Sequence, residues 1–562
     1  MQQFFRIPIL GLLLSTVITT AEPHWGRDDF EDASASAPLP AGRPHVSATI
    51  EDGCLHVVDK GTTKGDMMVT QRHWYAHPDV GSTVRARVKV IACSGLAGVS
   101  LSFSDGVHED ILTLYTDRIE LHHAGLSHAL DTTDTFHEYR VDIRGTDVTV
   151  TVDTVPAIQG RGAFTFPAHR RRNRVSIGAG ASRSTGEALW DWLTWTDGKA
   201  AARAQTPALS TAENVVVFKQ EEVYAPFPSL RHDPSDGTLY TTFSKKTTRT
   251  HYRTLDSTYA RMASEDGGIT WRDVAGIPGT AQDARLGPVF KMRDGSLVRI
   301  DQNWRKWYPP ERLAEFKGKV RTATQGATRE GWFSTNSGGF MRRSEDEGKT
   351  WKKHPIPALD TWTSCSSPWS YTQLRDGRVI RAFMVRADGK DSGDVFVTLT
   401  ADGRTAETHR VMGDPDEKLQ FTEETLVEQT DDGAIWVLTR VEGGDDQMWQ
   451  GVSRDGGVTW TSRPSGIVGH PPSGFVKLQD GRALLTYGYR HAPFGIRAVL
   501  SNDEGLTWDT EHTIVLRNDG GGYDLGYPRS TQLQNGNIFT IYYFTGDNRI
   551  THIAGTVWQV PK

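Results

Sequence analysis

Cysteine is scarce: Cys54, Cys93 and Cys365 are the three in 562 residues. Their spacings fit no zinc pattern, and a chain this long needs no disulfide scaffold to fold. Pairing of Cys54 with Cys93 and three free thiols are both compatible with those positions. There is no charge excess of one sign. Lys plus Arg is 63 against 69 Asp plus Glu, a net charge of −6. That excludes a strongly basic nucleic-acid binder and a polyacidic tail protein. Beyond the N-terminus no apolar run of 18 residues occurs, so no membrane span is expected in a mature chain. Metal-ligand and cofactor signatures are lacking too, and neither metal nor cofactor is expected.

The N-terminus reads as an export signal. Arg6 gives residues 1–21 a positive start, 7–21 (IPILGLLLSTVITTA) form a short apolar core, and Thr19 and Ala21 suit a cleavage site. The expectation is a secreted or periplasmic protein.

What the chain has in excess is 56 Gly and 17 Trp. Together they indicate many tight turns and short strands. Part of the excess is a repeat. SEDGGITW (264–271), SEDEGKTW (344–351), SRDGGVTW (453–460) and SNDEGLTW (501–508) all fit S-x-D-x-G-x-x-W. Ser and Asp can bond the turn's own backbone, Gly accepts positive φ, and Trp anchors the following strand.

A second repeat interleaves with the first. Apolar–turn–apolar hairpins recur at 228–243, 289–300, 372–383, 426–439, 476–487 and 531–543. Six hairpins at this period predict six four-stranded blades, hence a six-bladed β-propeller over 211–562. The D-G or N-G turn joins first to second strands and the Asp-containing box joins third to fourth. Two blades lack a recognisable box. The segment 213–220 (ENVVVFKQ) is expected to pair with 552–558 (HIAGTVW) and close the ring. The insertion at 301–319 contains PPERLAEFKGK, which opens with Pro and predicts a short helix.

Residues 22–197 lack both repeats. Short alternating strands at 83–92, 110–116, 137–144, 147–153 and 188–196 predict a β-sandwich, and 198–210 reads as a linker. The fold class is therefore all-β, a sandwich followed by a propeller. Trp25, Trp74, Trp190, Trp192 and Trp195 offer either sugar-stacking faces or core packing.

Alternation of strand direction puts the inner hairpin turns and the boxes on one face. The second–third loops and the starts of the first strands share the other. Chemistry is expected there, around the channel. Its polar residues are Asp256, Arg285, Glu424, Arg440, Arg490, Arg497 and Tyr527. Clustered Arg suits a carboxylate. Glu beside Tyr suits an activated phenol, and Asp a general acid. Trp304, Trp307 and Trp332 in the insertion could wall a sugar pocket.

With these parts in this order, residues 211–562 resemble the exo-sialidase (neuraminidase) superfamily. In ETLVEQTDDGAIWVLTR (424–440), the resemblance implies Glu424 as partner of the nucleophile and Arg440 as a carboxylate ligand. YPRSTQLQNG (527–536) implies Tyr527 as nucleophile. Arg490 or Arg497 fills another carboxylate-binding place, and Asp256 that of the acid. The family opens its first blade with aromatic-Arg-Ile-Pro. Here YAPFPSL (224–230) puts Pro226 at the Arg position, and the Arg-Ile-Pro at 6–8 lies in the signal. Residues 22–197 resemble the concanavalin/laminin-G sandwiches attached to such enzymes.

The resemblance implies an exo-acting glycoside hydrolase releasing a terminal, acidic sugar from a glycan. Two alternatives stand beside it. One is a lyase on uronic-acid polysaccharides with Tyr527 or His491 as base. The other is a non-catalytic glycan-binding propeller.

Overall fold

A computed structural model describes residues 24–31, 45–61, 68–169, 172–179, 184–247, 249, 251, 256–277, 289–302, 306–315, 321–322, 333–335, 339–359, 364–366, 371–386, 393–414, 419–442, 446–470 and 472–561. The leader-like residues 1–21, Arg285, Trp304 and Trp332 fall outside them.

The alternating segments of the first 197 residues form two antiparallel sheets. One has eight strands, including Ser82–Ser94, His137–Arg144 and Thr185–Asp197. The other has six, including Ser100–Asp105, Glu109–Leu114 and Asn173–Ala179. In Ser82–Ser94 the apolar residues Val84, Ala86, Val88 and Val90 are all buried, as the period-2 pattern dictates. They share one core with Trp74, Trp190 and Trp195. Those three tryptophans are core residues, not sugar platforms. Trp25 is 41% exposed, and the guanidiniums of Arg27 and Arg85 each lie 5.6 Å from the Trp192 ring. Cys54 and Cys93 are free thiols, so no bridge joins them.

The stretch read as a linker is partly helical. Lys199–Gln205 forms a short helix that is tied down rather than loose. Asn518 donates to the carbonyls of Arg203 (3.2 Å) and Thr206 (2.8 Å), and Lys199 and Arg203 pair with Asp547.

Beyond it, six antiparallel sheets follow among the described residues, five of them four-stranded and the third with its first strand in two pieces, Ser364–Ser366 and Tyr371–Gln373, the architecture of a six-bladed propeller. Their second and third strands are Leu239–Lys245 and Thr258–Ser264, Leu297–Gln302 and Gly339–Ser344, Val379–Arg386 and Asp394–Thr400, Ile435–Glu442 and Gln447–Ser453, Ala483–Tyr489 and Gly495–Ser501, and Ile538–Thr545 and Thr551–Trp558. The outer strand of the sixth sheet is Glu213–Phe218, paired with Thr551–Trp558 in the register Glu213↔Val557. The ring is closed by the chain's earlier strand, as expected. That closure also explains why the sixth sheet has no box: its third and fourth strands are not consecutive.

The four boxes sit between third and fourth strands. In each, Asp accepts from Ser and Thr side chains and from backbone N–H groups, as Asp455 does from Ser453 Oγ (2.8 Å), Thr459 N (2.9 Å) and Thr459 Oγ1 (2.6 Å). The residue before the invariant-position glycine adopts positive φ whether it is Gly267, Gly456, Glu347 or Glu504. The third sheet has a reduced box missed in the sequence. Thr400 and Thr405 bond Asp402, and Gly403 N donates to Thr400 Oγ1 (2.8 Å), with no Trp. Boxes also join neighbours: Arg378 of the third sheet donates to Gly456 O (3.0 Å), and Trp436 of the fourth to Glu504 O (2.9 Å).

In the insertion, Pro310–Glu315 is a 3-10 helix. The small sheet of Lys306–Tyr308, Arg321–Thr322 and Phe333–Thr335 was not foreseen. Trp307 lies in it, opposite Ser334.

Candidate functional site

On the face away from the boxes, the first strands of the fourth, fifth and sixth sheets are all irregular at their starts. In Gln420–Gln429, Phe421 pairs with Val441 and Thr425 with Thr439, so 422–424 oppose Arg440 alone. In the fifth sheet the register shifts between Pro472 and Gly474, at Ser473. In the sixth it shifts between Gly526 and Arg529, at Tyr527 and Pro528. Bulges at strand ends re-aim side chains and gather beside active sites. Two candidates, Glu424 and Tyr527, occupy such bulges. Glu424 is placed by its strand only, and its side chain lies outside the described residues.

Tyr527 follows Gly526 and has φ 51°, a left-handed conformation uncommon for a bulky residue. It is 8% exposed. Its ring meets Phe227 edge-on at 4.8 Å and Tyr543 at 5.8 Å. Arg490 holds its guanidinium 5.6 Å from the Tyr527 ring. Its Nε donates to Leu525 O (2.9 Å) and its Nη2 to Tyr543 Oη (2.8 Å). The structure therefore brings Arg490 and Tyr527 together.

Arg440 donates to Glu442 (2.5 Å). Arg440 and Arg490 both act on His470, which burial first, and then these two cations and His491, hold well below its ordinary proton affinity. Among the described residues, the buried His470 Nε2 and Ser473 Oγ meet no hydrogen-bond partner. His491 lies 6.2 Å from the His470 ring, and its Nε2 is 3.7 Å from Asp446. Arg497 sits differently. It stacks on Tyr489 at 3.3 Å and approaches the site through that ring, which contacts His491 at 5.3 Å. Arg529 is pushed down to about 10 by burial, with Tyr527 opposing, and donates to Ser473 O (2.6 Å).

Asp256 is exposed, and its Oδ2 accepts from Thr247 N (2.5 Å) and Oγ1 (2.6 Å). It belongs to the loop after the first sheet's second strand, which also carries Arg249 and His251. These two reach Asp524, just before Tyr527. Arg249 Nη2 approaches Asp524 Oδ2 at 3.3 Å, and His251 Nε2 and Tyr224 Oη lie 3.2 Å from Oδ1. Burial works against the charged form of Asp524. The His251 hydrogen bond and the charges of His251, Arg249 and Arg490 outweigh it and hold the carboxyl below its usual range. Asp524, Tyr224, Arg249, His251 and His470 are the site residues that sequence reasoning missed. Their partners lie up to 300 positions away, and no local motif marks them. Among the described residues no group of three metal-ligating side chains occurs.

No curated protein matches the chain. A protein of unknown function from Dyadobacter fermentans is 26% identical, with TM-score 0.50, over 63% of this chain and 100% of that one. The NanB sialidase of Streptococcus pneumoniae is 12% identical (TM-score 0.38; 87% of this chain, 97% of that one). A Penicillium chrysogenum alpha-L-arabinanase is 13% identical (TM-score 0.38; 62% and 99%). Residues 314–540 match the BNR repeat-like domain. The matched residues fall among the six sheets built on the propeller plan.

Proposed function

We propose that the protein is an exo-acting glycoside hydrolase that releases a terminal acidic sugar at the mouth formed by the fourth, fifth, sixth and first sheets. The observation that carries this reading is the placement of Arg490 against Tyr527, with Arg440 beside the same buried imidazole. Two guanidiniums recognise a carboxylate by paired hydrogen bonds, and the buried phenol beside Arg490 is suited to act as a nucleophile. Glu424 takes the Tyr527 proton as the phenolate attacks the anomeric carbon. Asp256 gives a proton to the departing oxygen. Water then attacks the anomeric carbon, losing a proton to Asp256, while Glu424 returns its proton to the departing Tyr527 oxygen and restores the phenol. Arg497 and Arg285 complete the proposed binding set. Pro226 leaves the first sheet without its expected Arg, and Arg249 supplies a cation from that sheet instead.

The proposal includes an exported protein with a leader at 1–21, a laminin-G/concanavalin-like unit at 22–197, a connecting segment at 198–210 and a propeller at 211–562. A second reading, elimination on a uronate, is favoured by His470, whose neutral imidazole lies beside Arg440 and Arg490.

The test is incubation of the full chain and its Tyr527→Phe variant with sialosides and with glycans ending in uronic or other sugar acids. Release by the parent and loss in the variant supports hydrolysis. An unsaturated, ultraviolet-absorbing product supports elimination, and binding without product supports a glycan-binding propeller.

A further inference from the structure

Trp74 and Tyr75 are adjacent, yet they serve different cores. Trp74 is buried in the N-terminal sheets, and its indole N–H donates to Ser104 O (2.8 Å). Tyr75 turns the other way with φ 52° and is 2% exposed within the apolar cluster of the fifth and sixth sheets. A left-handed φ at a bulky aromatic costs free energy and persists only where surrounding contacts impose it. Those contacts are specific. Asn173 Oδ1 accepts from Ala76 N (2.8 Å), and its Nδ2 donates to Ala76 O (2.7 Å). Gly198 N donates to Trp74 O (3.0 Å), so the turn is clamped from both sides.

Tyr75 in turn reaches two segments of the candidate site. Its ring meets Phe494 edge-on at 5.7 Å, and His73 meets the same ring at 5.2 Å. Phe494 ends the loop that begins at Arg490 and His491. Tyr75 Oη donates to Gly520 O (3.2 Å), and Gly520 N donates to Phe494 O (2.9 Å). Leu525 is fully buried in the same cluster, and its carbonyl accepts from Arg490 Nε. Asp524 and Tyr527 flank it.

We propose that Tyr75 is a positioning residue for the candidate site. Through Phe494 and Gly520 it braces the Arg490–Phe494 loop and the Asp519–Tyr527 segment, so the site assembles only while the N-terminal sheets are docked. The geometry is that of a strut. A side chain anchored in one core closes the surface of another, at the place where two irregular segments meet. These sheets then serve the site mechanically, whether or not they also bind glycan. The functional consequence rests on reading Arg490 and Tyr527 as site residues, while the bracing itself does not.

Hydrogen–deuterium exchange on the full-length chain tests it. In Tyr75→Ala, amides in 490–494 and 518–527 are expected to exchange about tenfold or more faster than in the parent. Val379–Arg386 and Asp394–Thr400 of the third sheet keep their parental rates. Tyr75→Phe retains the ring contact and loses the hydroxyl. It is expected to restore protection around Phe494 and leave Gly520 and Gly521 fast. Unchanged rates in both segments overturn the proposal, as does equal acceleration of every sheet. Should Tyr75→Ala fail to fold, the Tyr75→Phe comparison decides alone: slow Gly520 and Gly521 amides in that variant overturn it. Because the readout is exchange and not turnover, a chain inactive on every glycan tried leaves the bracing result standing.

Discussion

Arg490 lies 5.6 Å from the ring of Tyr527 and is fixed there by a carbonyl and a phenol, Leu525 O and Tyr543 Oη. Both of these partners are neutral, and the same guanidinium charge also acts on the Asp524 carboxylate. Lysine cannot make the two divergent bonds of this planar fork. Arg490→Lys is therefore expected to weaken binding of an acidic glycan by about 30- to 100-fold, on the scale of a lost bidentate ion pair. Neutral-glycan binding should change little. Titration calorimetry with both ligand types checks this, and equal losses for the two would contradict the assigned role.

Gln450 ties the fourth sheet to the fifth in a way that departs from the other boxes. In three boxes the Trp indole donates to its own box glycine: Trp271 to Gly268, Trp351 to Gly348 and Trp460 to Gly457, at 2.9–3.0 Å. Trp508 instead donates to Gln450 Oε1 (2.9 Å), and Gln450 Nε2 returns a bond to Gly505 O (2.7 Å). Gln450→Ala strands a buried donor and a buried acceptor together, which costs about 2–4 kcal/mol. Urea unfolding should show it, whereas a change under about 0.5 kcal/mol would mean that water replaces the amide.

The contrast among boxes bears on what a sequence can reveal. The turn chemistry of Ser, Asp, Gly and Trp is local, so four boxes, the inner hairpins and the closing strand Glu213–Phe218 were legible. The Thr400–Thr405 turn keeps the same Asp-centred bonding but lacks the Trp that made the others conspicuous. The three-stranded sheet of the insertion escaped because strands of two or three residues leave no periodic pattern. Arg440, Arg490 and Tyr527 could be named as candidates because each lies at or near a strand end set by the repeat. Asp524, Tyr224 and His251 were not, because their association depends on the first and sixth sheets meeting. Tyr75 was invisible for the same reason: nothing in a lone tyrosine says which core it enters.

Glu428 lies in the inner strand of the fourth sheet, opposite Trp436. Burial pushes its carboxyl up to about 7, and Lys477 opposes this only weakly. The fold thus prefers the protonated acid. Its contribution to stability is complete below the unfolded value near 4.5 and is lost as pH rises through about 7. Partial solvent access limits the loss to about 1–2 kcal/mol, less than the whole shift implies. Glu428→Gln should remove this slope. Melting curves of parent and variant between pH 4.5 and 8 are expected to converge at the acid end and separate at the basic end, with the variant more stable. Separation at the acid end instead would refute the assignment.

Asp524 joins the first sheet's loop to the strand that bears Tyr527, through Tyr224, Arg249 and His251. Its carboxylate is held ionised in that setting, so Asp524→Asn removes the charge that the Arg249 guanidinium faces while keeping the shape. The amide can still accept from Tyr224 but no longer balances Arg249, and the weakened tie should release the loop that also carries Asp256. If Asp256 is the acid that protonates the leaving oxygen, turnover falls by about 100-fold or more, the usual scale for losing general acid catalysis. Affinity at Arg490 is expected to hold. Substrates with a good leaving group need little protonation and should be spared, so comparing an activated aryl glycoside with a natural glycan separates this effect from a general loss of structure. Equal losses on both would place the acid elsewhere than Asp256.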